Sequence, residues 1–225
     1  MSVSIPQKMP YVFQPIFDVR NNDLKIYGRE ALIRPLDCTP GEFINKMVKD
    51  GKTHELEYIT FYNAVEQFQN RGYKEKLFLN SFPYETLSID EMGAVKSLCM
   101  EKPSSDIVIE FLEYGNDFRE HRTMKKVHDL KRRRYKIALD DFGTGFNSVN
   151  ALKTMQPNIV KIDRHYIDEC LISDIGKNTL EIIVNYLKNN NVTVLAEGVE
   201  TKSQFELCRK IGIDYMQGYY LGYPE

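Results

Sequence analysis

Two hydrophobic periods alternate along the chain and predict two kinds of element. Short runs rich in β-branched residues, such as 107–109 and 192–196, are typical of strands buried on both faces. Between such runs, apolar residues recur three and four positions apart, as at Leu180, Ile183 and Val184. This spacing predicts helices with one buried face, so the chain is expected to alternate strands and helices.

The pattern predicts eight strands. They cover residues 11–19, 25–34, 76–80, 107–113, 136–141, 158–163, 193–197 and 215–220. One of the helices between them has apolar positions from Leu56 to Phe68 and is expected to end near Gly72, since glycine favours helix C-termini. Eight strands alternating with helices predict an α/β fold, a (β/α)8 barrel of the TIM type.

The first two predicted strands are joined by residues 21–23, Asn-Asn-Asp, a turn-forming triplet. This connection is far too short for the helix that joins two parallel strands. The first strand is therefore expected to run antiparallel to the second, which brings Gln14 beside Glu30. Glu30 lies towards the C-terminal end of the second strand, and that end is the functional face of such barrels.

Carboxylate and amide side chains close several of the predicted strands. Asn80, Glu110, Asp140, Asp141 and Glu197 each follow an apolar run. The C-terminal ends of parallel strands meet at one rim of a barrel, where unneutralised carboxylates would repel one another. We therefore expect a divalent cation, and a set of oxygen ligands favours magnesium or manganese over zinc.

Composition limits the class of protein and its partners. The chain of 225 residues is 42% hydrophobic and carries a net charge of −2. It can therefore bury a core, and we expect no nucleic-acid polymer as a partner. Residues 1–225 are expected to form a single domain, because the sequence has no linker or repeat. The basic run at 131–134 is expected at the exposed end of a helix.

The cysteines and the apolar runs indicate a compartment. Cys38, Cys99, Cys170 and Cys208 lack the paired spacing of zinc-binding or disulfide-rich proteins. No run reaches the roughly 20 apolar residues of a membrane helix, and the first ten residues lack the apolar core of a signal peptide. We therefore expect a cytoplasmic protein with free thiols and no membrane segment.

Several short motifs occur in a fixed order over nearly the whole chain. The segment Glu30-Ala31-Leu32 is accompanied by Gln14-Pro15-Ile16, Asn80-Ser81, Glu110-Phe111-Leu112-Glu113, Asp140-Asp141-Phe142-Gly143-Thr144-Gly145, Lys161-Ile162-Asp163, Ala196-Glu197-Gly198-Val199-Glu200 and Gln217-Gly218. Glu-Ala-Leu alone would carry no weight, since these residues are common helix formers. Together the motifs resemble the EAL domain, the family of bacterial cyclic di-GMP phosphodiesterases. Pro35 stands where the family pattern usually has an aromatic residue.

The resemblance implies hydrolysis of cyclic di-GMP to linear pGpG with two Mg²⁺ or Mn²⁺ ions. On the matching residues, it implies that Glu30, Asn80, Glu110 and Asp140 hold the first ion. Asp140 would bridge to a second ion that Asp141 also holds. We expect Ca²⁺ to inhibit, because it prefers more ligands and a looser geometry than Mg²⁺.

The resemblance also implies roles for residues around the ions. Glu197 would be the general base, or a ligand of the second ion, and Lys161 would orient the attacking water or offset charge in the transition state. The substrate contacts would be Gln14, Leu32, Arg34, Asp163 and Gln217. The supports of the loop after Asp141 would be Glu113, Glu200, Phe142 and Gly143.

Other interpretations of these residues remain open. Asp140 and Asp141 could cap the following helix, Lys161 could form an ordinary salt bridge, and Gln217 could be a turn residue. At the level of function, the alternatives are a catalytically inactive EAL domain that acts as a cyclic di-GMP receptor, and a metal phosphodiesterase for another substrate. The habit of the family implies a homodimer, and a sensory partner could regulate it.

Overall fold

A closed barrel of eight strands forms the centre of the protein, with the strands in chain order around it. The computed structural model describes residues 5–98, 103–111, 120–142 and 148–225. The strands are β1 (Tyr11–Asp18), β2 (Lys25–Ile33), β3 (Lys76–Ser81), β4 (Ile107–Phe111), β5 (Lys136–Phe142), β6 (Ile159–Ile162), β7 (Thr193–Ala196) and β8 (Tyr215–Met216).

Helices separate the strands from β2 onwards. They are α1 (Pro40–Lys49), α2 (Thr53–Asn70), α3 (Ile89–Leu98), α4 (Glu120–Arg132), α5 (Ser148–Met155), α6 (Arg164–Ile172), α7 (Asp174–Asn189) and α8 (Lys202–Ile211). As predicted, α2 buries Leu56 and Phe68 and ends just before Gly72, which has a positive φ of 71°. The helix ahead of the basic run ends at Arg132, so that prediction is also confirmed. No helix among the described residues is long and apolar enough to cross a membrane.

The predicted hairpin of the first two strands is confirmed. β1 pairs antiparallel with β2, and Gln14 lies directly opposite Glu30 in the register. β1 also pairs antiparallel with β8 through Phe17 and Asp18, whereas the pairs from β2 to β8 are parallel. The barrel is therefore of the predicted (β/α)8 type with its first strand reversed.

The last strand differs from its prediction. It covers Tyr215–Met216, whereas the apolar pattern predicts a strand over 215–220. The physical reason is Gly218, which has a φ of +155° and lies so close to Val199 that a Cβ atom would come within 2.2 Å of the Val199 carbonyl oxygen. The main-chain O of Gly218 then accepts hydrogen bonds from the main-chain N of Leu221 and Gly222, so a turn replaces the strand after Met216. The other strand ends agree with the prediction to within about two residues, and residues 112–113 lie outside the described residues.

Two apolar layers stabilise the barrel. The larger layer lies between the strands and the helices and includes Phe13, Phe68 and Ile109. A smaller layer fills the barrel itself with buried side chains that alternate with those of the outer layer, as the period of a strand requires. It consists of Ile16, Phe78, Val108, Ala138, Ile159, Leu195 and Tyr215, with Tyr27 packed against them. The candidate site lies inside the barrel directly next to this inner layer, towards the C-terminal ends of the strands.

Candidate active site

Polar side chains form the next layer of the barrel interior, towards the C-terminal ends of the strands. Side chains two residues apart on a strand share a face, so the residue two positions beyond each inner apolar residue also points into the barrel. Six of the residues that the sequence predicts for the site stand at such positions: Asn80, Glu110, Asp140, Lys161, Glu197 and Gln217. On the antiparallel β1 the same offset runs backwards, from Ile16 to Gln14.

The ammonium group of Lys161 lies at the centre of this layer. Its Nζ is 2.6 Å from Glu197 Oε1, 2.8 Å from Glu110 Oε1 and 3.1 Å from Asp140 Oδ1. Glu30 Oε2 lies further away, at 3.7 Å. Lys161 is only 1% exposed, so these carboxylates rather than water stabilise its charge. The structure therefore brings together side chains from β2, β4, β5, β6 and the end of β7.

Side-chain amides hold Glu30 on the side of the barrel where β1 pairs with β2. Asn80 Nδ2 donates to Glu30 Oε1 at 3.0 Å, and Gln217 Nε2 donates to Glu30 Oε2 at 2.7 Å. Gln217 Nε2 also lies 3.1 Å from Gln14 Oε1. Both glutamines are buried. The orientation of Glu30 is thus fixed by three strands, β1, β3 and the extension of β8.

The three acidic groups Asp140, Asp141 and Glu197 form the most compact cluster. Each offers one carboxylate oxygen within 4.8 Å of the others, among the described residues. In a regular strand, adjacent residues would face opposite sides. Here the register between β5 and β6 shifts between Leu139 and Phe142, and Asp141 has a φ of +50°. This local irregularity places both neighbouring aspartates at the same rim.

The electrostatics of the site favour an additional cation. Burial, reinforced by Glu30, raises the pKa of Glu110 well above its usual range. Burial, followed by the charge of Asp140, does the same to the pKa of Glu197. Burial by itself would lower the pKa of Lys161, but the surrounding carboxylates, led by Asp140, raise it well above its usual value. Lys161 therefore stays charged, while Glu110 and Glu197 hold protons more readily than ordinary carboxylates.

The residues present fit a divalent metal ion. Among the described residues, four carboxylates surround the ammonium of Lys161, those of Glu30, Glu110, Asp140 and Glu197, and Asp141 lies beside two of them. The buried Oε2 of Glu110 receives no hydrogen bond from any described residue. An excess of carboxylate oxygens, one of them buried without a hydrogen bond from the described residues, suits a hard cation such as Mg²⁺ or Mn²⁺.

Two cavities open on either side of Glu30. One, of about 260 Å³, is lined by Gln14, Glu197, Gln217 and Tyr219 as well as by Glu30. The other, of about 230 Å³, lies over the end of β2 and is lined by Leu32, Arg34, Asn80 and others. Four of the five predicted substrate contacts thus divide between two cavities that share Glu30, whereas Asp163 lines neither of them.

Tyr219 is a member of the site that the sequence did not single out. It is half exposed at the rim and stacks on Tyr223, with ring centroids 4.8 Å apart. The sequence pattern carries no signal for it, because Tyr219 lies in the turn that follows Gln217, where the two-residue period of a strand no longer applies.

Some predicted residues have structural partners of their own. Asp163 caps α6, accepting a hydrogen bond from the main-chain N of His165 at 2.8 Å. The side chain of Glu200 forms an ion pair with Arg164 of α6, with an Oε1–Nη1 distance of 2.6 Å, and its main-chain N donates to Gln204 Oε1 of α8 at 2.7 Å. Phe142 is buried in the outer apolar layer.

Two predicted loop supports lie outside the described residues. They are Glu113 and Gly143.

A family comparison agrees with this architecture. The family model described as "EAL domain" matches residues 5–224. The chain belongs to the EAL domain family. The match covers nearly the whole of this EAL domain, from before β1 to beyond β8.

Individual relatives are similar to this EAL domain at modest identity. The probable cyclic di-GMP phosphodiesterase PdeN of Escherichia coli K12 is 28% identical over 234 residues, covering 98% of the chain and 44% of PdeN. The chain spans less than half the length of the curated relatives that it matches. The comparison with PdeN therefore concerns the EAL portion alone.

Solved structures share the fold. A standalone versatile EAL protein from Vibrio cholerae O395, in its c-di-GMP bound form, has a TM-score of 0.84 and 26% identity, covering 98% of this chain and 94% of that one. BlrP1 of Klebsiella pneumoniae, in a manganese/cy-diGMP complex, has a TM-score of 0.83, covering 100% and 57%; at 23% identity this likeness concerns the fold.

Proposed function

We propose that the protein is a cyclic-guanylate-specific phosphodiesterase that hydrolyses cyclic di-GMP to linear pGpG. The observation that carries the proposal is the group of four carboxylates around Lys161 at the C-terminal rim of the barrel, with Asp141 beside two of them. All the predicted metal ligands are present, as are the base and the lysine. Membership of the EAL domain family and the names of its relatives support this substrate.

Two Mg²⁺ or Mn²⁺ ions are the proposed cofactors. Glu30, Asn80, Glu110 and Asp140 would hold one ion, and Asp140 and Asp141 the other. Bound ions of this kind neutralise phosphate oxygens and lower the pKa of an attacking water. Ca²⁺ is expected to inhibit, because it favours a higher coordination number than the site is proposed to offer.

The side chains around the ions supply proton transfer and orientation. Glu197, whose pKa burial raises, is a stronger base than an ordinary carboxylate and is suited to accept a proton from water. Its place in the cluster with Asp140 and Asp141 equally suits a ligand of the second ion. Lys161 keeps its positive charge and would offset negative charge as it develops on the phosphate.

The substrate would lie across the two cavities that flank Glu30. Gln14 and Gln217 face one cavity, and Leu32 and Arg34 face the other. Amides can pair with the edge of a guanine, and an arginine suits a phosphate. Asp163, although it caps α6, is proposed to contact the nucleotide as well, since one of its oxygens accepts the capping hydrogen bond.

Nucleotide chromatography provides the test. Purified protein incubated with cyclic di-GMP and Mn²⁺ is expected to yield pGpG, and the Glu30→Ala variant is expected to yield none. Intact cyclic di-GMP together with micromolar binding would instead indicate a receptor. Hydrolysis of glycerophosphodiesters without hydrolysis of cyclic di-GMP would indicate a different substrate.

The proposed function extends to the domain organisation, the location and the oligomeric state of the enzyme. We propose that residues 1–225 act as one domain, that the protein works in the cytoplasm, where a nucleotide second messenger is found, and that it forms a homodimer. Exposed apolar residues on α6 and α7, including Ile172, Ile175 and Ile182, offer a surface for a second copy. Light scattering on the purified protein tests the dimer, and a sensory partner would be sought by co-purification.

A further inference from the structure

A second buried ion pair lies outside the barrel, between α2 and α4. Lys126 and Glu57 are 5% and 2% exposed, and Lys126 Nζ donates to Glu57 Oε1 at 2.7 Å. A buried ion pair contributes little net stability compared with apolar residues of the same size. The groups that it contacts therefore indicate its role better than its strength does.

The pair holds the two residues that follow Asn80 in the chain. Glu57 accepts hydrogen bonds from Ser81 Oγ at 2.7 Å and from the main-chain N of Phe82 at 3.0 Å. Lys126 donates to Ser81 Oγ at 2.7 Å and to the main-chain O of Phe82 at 2.8 Å. Backbone and side chain are thus fixed together at the C-terminal end of β3.

Lys126 also reaches the neighbouring strand. Its Nζ lies 5.5 Å from the ring centroid of Phe111, the residue after Glu110. Ser81 and Phe111 are partners in the register of β3 and β4, as are Asn80 and Glu110. One ammonium group therefore contacts the residue that follows each of two proposed metal ligands.

The use of polar groups here is not required by packing. On β2 and β6 the residues that follow Glu30 and Lys161 are Ala31 and Ile162, both apolar and buried in the outer layer. On β3 the corresponding residue is Ser81, which is fully buried. Hydrogen bonds to Ser81 fix the orientation of its side chain, whereas apolar contacts are not directional.

We propose that Glu57 and Lys126 are positioning residues for the metal site. They hold the end of β3 in place, so that Asn80 is oriented towards the ion and its hydrogen bond orients Glu30 in the same way. This inference rests on the proposed function, because it takes Asn80 and Glu30 as metal ligands. Groups that orient ligands typically contribute about 10–100-fold to metal affinity.

The test is the affinity for Mn²⁺, measured by electron paramagnetic resonance on the purified full chain. The variant is Glu57→Gln with Lys126→Gln, which removes both charges together and leaves no single buried charge without its partner. We expect its Kd for Mn²⁺ to rise about tenfold, with the circular dichroism spectrum of the wild type. A wild-type Kd in the folded double variant would overturn the inference.

A matched control separates positioning from general destabilisation. Asp214 is 7% exposed and bonds to Lys188 Nζ and to the main-chain N of Val194 at the opposite end of the barrel. Asp214→Asn is expected to lower the melting temperature without changing the Kd for Mn²⁺. An equal loss of Mn²⁺ affinity in this control would show that the effect is not specific to β3.

Two further outcomes keep the test decisive. If the double variant does not fold, Ser81→Ala takes its place in the comparison, because it removes only the hydroxyl that Glu57 and Lys126 share. A raised Kd for Mn²⁺ is again expected, and an unchanged Kd would overturn the inference. Wild-type protein that binds no Mn²⁺ would overturn the proposed function and this inference together. Wild-type binding with no effect of the substitutions would overturn this inference alone.

Discussion

At the scale of single residues, Lys161 is the group on which the charge balance of the site depends. It is buried, and its Nζ lies within 3.1 Å of oxygens from Glu110, Asp140 and Glu197. In the metal-free protein, Lys161 reduces the repulsion among the carboxylates, as a bound divalent ion would also do. Its removal should therefore affect the protein most when no metal is present.

Lys161→Met is expected to destabilise the metal-free protein by about 3–5 kcal/mol, because it leaves buried carboxylates without their cation. Mn²⁺ should restore more stability to this variant than to the wild type. Thermal unfolding in chelator and in Mn²⁺ measures both effects. Lys46→Met is the control, because Lys46 pairs with Asp50 on the surface, and it should change little. Equal melting temperatures for both variants in chelator would contradict this role of Lys161.

Glu197→Gln tests the proposed base. The amide keeps the shape of the side chain but cannot accept a proton, so turnover should fall by at least about 100-fold. Substrate binding should remain, since Gln14, Gln217 and Arg34 are unchanged. Turnover assays with calorimetric binding of cyclic di-GMP distinguish the two roles. Loss of binding and turnover together would favour Glu197 as a ligand of the second ion.

At the scale of elements, the geometry of each strand end determines which side chains enter the candidate site. A regular strand supplies one inward residue at its end, as β4 does with Glu110 and β6 with Lys161. β5 supplies two neighbouring aspartates because its register with β6 shifts after Leu139. The short β8 ends at Met216 and passes Gln217 into the site before the chain turns at Gly218.

Gly218→Ala tests this turn. A Cβ atom at Gly218 would lie 2.2 Å and 2.3 Å from the main-chain O and N of Val199, and backbone atoms cannot move aside cheaply. We expect a loss of at least about 1–3 kcal/mol from strain, together with weaker nucleotide binding, because Gln217 would be displaced. Gly41→Ala is the control, since nothing lies within 4 Å of a Cβ there. Denaturant unfolding that finds the two variants equally stable would contradict the assignment.

At the scale of the whole molecule, metal and proton binding are expected to compete. Burial and neighbouring carboxylates raise the pKa values of Glu110 and Glu197 in the folded protein, whereas in the unfolded chain both groups titrate near their usual values. Between these values the folded protein binds more protons than the unfolded chain. Its stability without metal should therefore fall as the pH rises through that window.

Thermal unfolding at about pH 5 and pH 8 measures this dependence. In chelator, the contribution of these two groups should make the protein less stable at the higher pH. Mn²⁺ should reduce or reverse this trend, because the ion replaces the protons. At a concentration of about 100 times Kd, the ion should add about 2.7 kcal/mol. A pH dependence that is the same with and without Mn²⁺ would contradict the proposed competition.

The sequence by itself determined the strand count, the reversed first strand and the pairing of Gln14 with Glu30. These features follow from local rules: the two-residue period of strands, and a triplet at 21–23 that leaves room only for a hairpin. It also indicated which residues close the strands, because a polar residue after a buried apolar run is visible without any coordinates.

Only the tertiary structure decided how those residues meet. The central position of Lys161, the shared rim of Asp140 and Asp141, and the contacts of Lys126 with Ser81 and Phe111 all depend on neighbours distant in the chain. A backbone irregularity such as the one in β5 leaves no periodic trace in the sequence, since it arises where two strands fail to stay in register. Barrel closure sets these distances, and it is a property of all eight strands together.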